Sequence, residues 1–172
     1  MKGGPGAHAG YVSIGGDTEQ EQVRWGPIIP SSWTLCTTSM YEEGGRHGRI
    51  FTGSGNNWLH GHHGGQTGAS YYQGWKVNSW GNSNPGRYSW LVWCATNAKD
   101  DGVWGARADG TPVRAAGNVD TPTNELGTGW GTHGTEWSVY RIGTVMSWSR
   151  AFSTSEMKDM VGYMYDHLKG FA

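Results

Sequence analysis

Alternate positions of Tyr140–Trp148 carry Ile142, Thr144, Met146 and Trp148, the period of a strand with one buried face. The period then changes. Met157, Met160, Val161, Met164 and Leu168 recur at helical spacing, while Lys158, Asp159, Asp166 and Lys169 fall largely off that face. Ser153 and Glu156 have the spacing of a capping box, which satisfies backbone N–H groups at a helix start. Gly170 is a natural stop. The chain is therefore expected to close with a strand running into a short amphipathic helix.

Upstream, Ser32–Tyr41 is rich in β-branched and aromatic residues and free of Gly and Pro, so it predicts a strong strand. Arg49–Thr52, Trp58–His62 and Ser70–Val77 follow as strands, separated by glycine-rich turns. Tyr88–Thr96 is apolar at both odd and even positions and predicts a central strand buried on two faces. Val103–Ala108 returns, and Asp109-Gly110 is a two-residue hairpin signal before Thr111-Pro112-Val113. The stretch before Pro30 is punctuated by glycine and proline, with Tyr11–Ile14 as its strand candidate. Residues 117–136 read as a long irregular loop. Many short strands and one late helix predict an all-β fold.

The length of 172 residues suits one domain. Net charge is -1 and only 16% of residues are charged, which excludes nucleic-acid binding through a basic face. No apolar run reaches membrane-spanning length, and no insertion is expected. Residues 1–6 show no apolar core of a secretory signal. The 30 glycines suit tight turns and bulges. The 11 tryptophans supply core bulk, and those left outside form flat surfaces for stacking.

The ending "W-x-R-A-F-S-x-x-E-M" from Trp148 to Met157, and the hairpin from Trp90 to Val113, resemble concanavalin-A-like jelly rolls, in particular laminin-G-like and pentraxin-like domains. The resemblance runs from about Ser32 to Leu168. It implies a two-sheet antiparallel jelly-roll sandwich with a short C-terminal α-helix, spanning residues 31–172. Residues 1–30 would be an extended segment, either part of the domain or an arm to it. The resemblance also implies a Cys36–Cys94 disulfide, since pentraxin-like domains join cysteines at the matching places. Such a bond places the protein in an oxidising, extracellular setting.

Two clusters carry candidate chemistry. In Asn56–Gly65, His60 and His62 share one strand face and are candidate ligands for a metal ion, with His63, His47 or His133 as a third. His-x-His also predicts pH sensitivity in the histidine range. In the second cluster, Trp75, Asn78, Trp80, Asn82, Asn84 and Tyr88 combine flat aromatics with planar amides. That pairing suits a sugar ring, which has an apolar C–H face and a polar edge. The expected glycan contacts are Asn57, Trp58, His60, His62, Trp75, Asn78, Trp80 and Asn82.

Calcium is a candidate cation through the pentraxin-like resemblance. Asn118, Asp120, Asn124 and Glu125 precede the last strand, and Asp100, Asp101 and Asp109 sit on turns where oxygen ligands bind calcium. Asp120 joins His60 and His62 as an expected metal residue. Catalysis is not expected. The "E-x-D-x-x-E" of related β-glucan hydrolases is absent, and Glu42, Glu43 and Glu136 are the acids left for a divergent hydrolase. The expected role is non-catalytic extracellular binding or adhesion, with a glycan or glycoprotein as partner. The rival reading is a structural module that self-associates or contacts other proteins in a matrix, filament or particle coat.

Overall fold

The computed structural model describes residues 14–18, 21–55, 57–80, 85–117, 119, 125–128 and 136–170. The strands form two six-stranded antiparallel sheets. The first runs β1 (Ile14–Gly16), β12 (Tyr140–Trp148), β3 (Thr34–Tyr41), β8 (Leu91–Thr96), β9 (Val103–Ala106), β10 (Pro112–Ala116) across its width. The second runs β2 (Arg24–Gly26), β11 (Leu126–Thr128), β4 (Phe51–Gly53), β5 (Trp58–His63), β6 (Gln66–Tyr72), β7 (Trp75–Val77). This is the expected all-β sandwich, closed by the helix α1 (Thr154–Lys169).

The alternation of each strand buries one set of side chains between the sheets. Leu35, Tyr41, Leu91, Trp93, Tyr140 and Ile142 of the first sheet meet Phe51, Trp58, Tyr72 and Leu126 of the second, all no more than 3% exposed. The other face of the first sheet is covered as well. Cys36, Met40, Val92, Cys94 and Trp104 pack against Met157, Val161, Met164 and Leu168 of α1. Each of those four helix side chains contributes about 2 kcal/mol by leaving water. With a layer on each side, every residue of β3 and β8 is buried, which is why Leu91–Thr96 carries no polar alternation.

Cys36 and Cys94 are register partners on β3 and β8, with Cα atoms 4.1 Å apart, and they are bonded. The helix begins as its spacing predicts. The N–H of Ser153 donates to Glu156 Oε2 at 2.9 Å, and the Ser153 hydroxyl donates to the same oxygen at 3.0 Å. Glu156 is held below the usual carboxylate range by the Ser153 backbone N–H and then by Arg150.

Two expectations change. Ser70–Val77 is two strands rather than one: the chain turns at Gln73-Gly74, with Gln73 at φ 55. Left-handed backbone is uncommon for a residue with a Cβ, so composition does not announce this turn. The loop expected over 117–136 contains β11, which pairs with both β2 and β4. Three residues, one of them glycine, are too few to show a period. The described residues before 31 supply β1 to one sheet and β2 to the other. Of the Tyr11–Ile14 strand candidate, residues 11–13 lie outside the described residues.

Candidate functional site

β5 presents Trp58, His60 and His62 to one face, as alternation requires, and that face is the interior. All three side chains are 0% exposed. The Trp58 and His60 rings stack with centroids 5.8 Å apart. His60 Nε2 lies 3.2 Å from the Trp93 carbonyl on the first sheet, and a carbonyl only accepts, so this nitrogen carries the proton. Burial keeps the ring neutral, which leaves Nδ1 to accept from Tyr72 Oη at 2.6 Å. His62 Nδ1 sits 3.3 Å from Ser39 Oγ on β3.

Burial pushes the pKa of both histidines down to about 3, with His60 adding a second, electrostatic contribution at His62. Trp58, His60 and His62 therefore cannot touch a surface glycan, and neither ring titrates in the ordinary histidine range while the protein is folded. Both His60 nitrogens already have partners. Among the described residues no three His, Cys, Asp or Glu side chains come together as a cation would require. Asp120 lies outside the described residues, as do Asn56, Asn82, Asn84, Asn118, Asn124 and His133.

The outward face of the second sheet gathers different residues. The pairing of β6 with β7 shifts between Ser70↔Val77 and Tyr71↔Trp75, so Lys76 is an extra residue, a β-bulge. A bulge re-aims side chains. Here it lets Val77 point into the core while Trp75, two positions earlier, points out and stays 48% exposed. Trp75 meets the edge of Tyr71, with ring centroids 5.3 Å apart, and His63 at 5.5 Å.

A polar network joins this aromatic group. His63 Nε2 is 3.5 Å from Glu136 Oε2, and Glu136 also takes the Nε–H of Arg49. Arg49 is only 5% exposed and donates further to Asn57 Oδ1 at 2.7 Å and to the Trp58 carbonyl at 3.4 Å. The Asn57 carbonyl accepts from the N–H of Gln73 at 3.4 Å, at the turned tip between β6 and β7. A planar guanidinium held on three sides is a rigid support for its neighbours. Tyr71, His63, Arg49, Gln73 and Glu136 were not among the residues the sequence put forward as glycan contacts, yet they surround Trp75 or link to its neighbours. The outward register of β5 and β6 places His63 and Tyr71, while Arg49, Gln73 and Glu136 come from the segments between strands.

The remaining expected residues scatter. Asn78 is exposed just past β7. Trp80 is half-buried, packed edge-on against Trp93 with centroids 5.2 Å apart. Glu42 pairs with Arg141 at 2.7 Å. Asp109 accepts from the N–H of Thr111 at 2.9 Å, the bond that forms its turn and lowers its pKa. Asp101 accepts from the Thr154 hydroxyl at the start of α1.

No protein-family model matches the chain, and no curated protein does. Among solved structures it is similar to a mutant of Trypanosoma rangeli sialidase displaying trans-sialidase activity. The TM-score is 0.51 at 13% identity, covering 91% of this chain and 30% of that one. At that identity the likeness shows the two-sheet fold alone. The chain spans under a third of the sialidase, whose activity belongs to that whole protein.

Taken together, the outward face of the second sheet offers a flat apolar surface at Trp75. A fixed row of donors and acceptors lies beside it. The disulfide fits an oxidising compartment, and among the described residues no helix is long and apolar enough to cross a membrane.

Proposed function

We propose that this chain is a non-catalytic, extracellular glycan-binding module of the laminin-G-like or pentraxin-like kind, working through the outward face of the second sheet. The observation that carries the reading is Trp75, aimed outward by the Lys76 bulge beside the Arg49–Glu136–Asn57 network. A pyranose ring laid on the indole matches its apolar C–H face to the ring plane. Its hydroxyls then meet amide, carboxylate and imidazole groups, which accept and donate in turn. Binding rather than hydrolysis is favoured because this cluster contains one described carboxylate, Glu136, where glycoside cleavage ordinarily uses two. The similarity to part of a sialidase adds a link to a carbohydrate-processing protein.

A glycan array on the purified protein, with calcium and again with chelator, tests the proposal. Binding is expected to survive chelation and to be lost in Trp75→Ala. Binding lost on chelation would overturn the metal-free contact set. No binding under either condition would overturn the glycan reading and leave the assembly module, which predicts an oligomer in size-exclusion chromatography without sugar.

A further inference from the structure

Beneath the last turns of α1, on the far face of the first sheet, lies a cavity of about 280 Å³. It is separate from the Trp75 face, which belongs to the other sheet. Its apolar walls include Trp90, 6% exposed, Ala106 at 3% and Leu168 at 1%. Tyr165 forms one side and is fixed there, since its hydroxyl donates to the Ala108 carbonyl at 2.7 Å. The volume falls just below the roughly 300–1,000 Å³ of drug-sized ligand pockets, which suits a smaller molecule.

Among the described residues, the charges lining this cavity have one sign. Lys169 and Arg107 line it, and among the described residues no carboxylate does. Lys169 Nζ stands 4.4 Å over the Tyr165 ring, which places its ammonium at the wall. Asp109 lies close enough for Arg107 to lower its pKa, but its oxygen accepts from the N–H of Thr111 and it does not line the cavity. An apolar chamber lined by two cations and no anion complements a small molecule with an apolar body and a negative end. A neutral apolar molecule would leave the cations unused, and a cationic one would be repelled.

We propose that this cavity binds a small alkyl carboxylate, its chain against Trp90 and its carboxylate toward Lys169 and Arg107. The test titrates isotope-labelled protein with octanoate and, separately, with octylamine, reading amide shifts by NMR. Octanoate should give saturable shifts at Ala106, Ala108 and Leu168, with octylamine binding about tenfold more weakly or less, the expected size of two modest charge contacts. The double variant Arg107→Glu/Lys169→Glu should remove that preference. Ala108→Trp, at an exposed position on the rim, should block entry while leaving the fold intact. The proposal is overturned if no saturable shift appears, if octylamine binds as well as octanoate, or if Ala108→Trp leaves octanoate affinity unchanged.

Discussion

His60 of the second sheet and the Trp93 carbonyl of the first are 3.2 Å apart, so a neutral imidazole ties the two layers through the middle of the core. His62 makes a second tie to Ser39. Each ring would bind a proton near pH 6.5 in the unfolded chain but only near 3 when buried. Between those values the unfolded state holds more protons. Stability is therefore complete above about pH 6.5 and is lost as the pH falls toward 3. At about pH 5 the loss is about 2 kcal/mol for each ring, roughly 4 for the pair. Urea midpoints at neutral pH and at about pH 5 measure it, and His62→Gln should abolish about half of the difference. An equal midpoint at both would refute neutral burial.

The Cys36–Cys94 bond closes a sequence separation of 58 residues. In the chain-entropy model its loss costs about 4 kcal/mol. Both sulfurs are fully buried beneath α1, so reductant should act only as the fold opens. Denaturant midpoints of the wild type and of Cys36→Ser/Cys94→Ser check the magnitude. A midpoint unchanged in the double variant would show that the cross-link does not stabilise the fold.

Arg49 and Trp75 should separate stability from binding. Arg49→Ala leaves Asn57 Oδ1 and the Trp58 carbonyl without their guanidinium donor, an expected cost of about 1–3 kcal/mol. Trp75→Ala touches a half-exposed ring and should shift stability by no more than about 0.5 kcal/mol, yet abolish glycan binding. Thermal melts paired with binding curves distinguish the two, and a large melting shift in Trp75→Ala would place that ring in the core.

Gly105 on β9 is required for close packing. A Cβ there would sit 2.5 Å from Cε3 of Trp93 and 2.8 Å from the Trp80 ring. Trp93 is completely enclosed and cannot step aside. Gly105→Ala should destabilise by about 1–3 kcal/mol, whereas Gly162→Ala, facing open space on α1, should be neutral or stabilising. Equal effects at the two sites would contradict the packing described.

What was legible in the sequence were the elements whose pattern is set by their own residues. The 3.6-residue period from Met157 to Leu168 and the Ser153–Glu156 pair announced the helix. The unbroken apolar run of Leu91–Thr96 announced a strand with two covers. The period of β5 placed His60 and His62 on one face but carried no information on which side that face lies. Only the partner strands, with Tyr72, Trp93 and Ser39, decide that it is the interior. Trp75 was visible as a surface candidate, but the bulge that turns it outward is a property of the β6–β7 register. Arg49 and Glu136 meet across 87 residues of chain, a distance no local pattern spans.

The disulfide joins two neighbouring strands of one sheet and sits under the helix; it does not cross the sandwich. Between the sheets the described ties are noncovalent, and two of them depend on uncharged histidines. Redox conditions therefore act on a cross-link inside one sheet, and acidity on the boundary between the two sheets. The fold is at full strength only in surroundings that are both oxidising and no more acidic than neutral. A reducing but neutral medium would act only on molecules that have already opened, while an acidic but oxidising one would loosen the grip between the sheets of the folded protein.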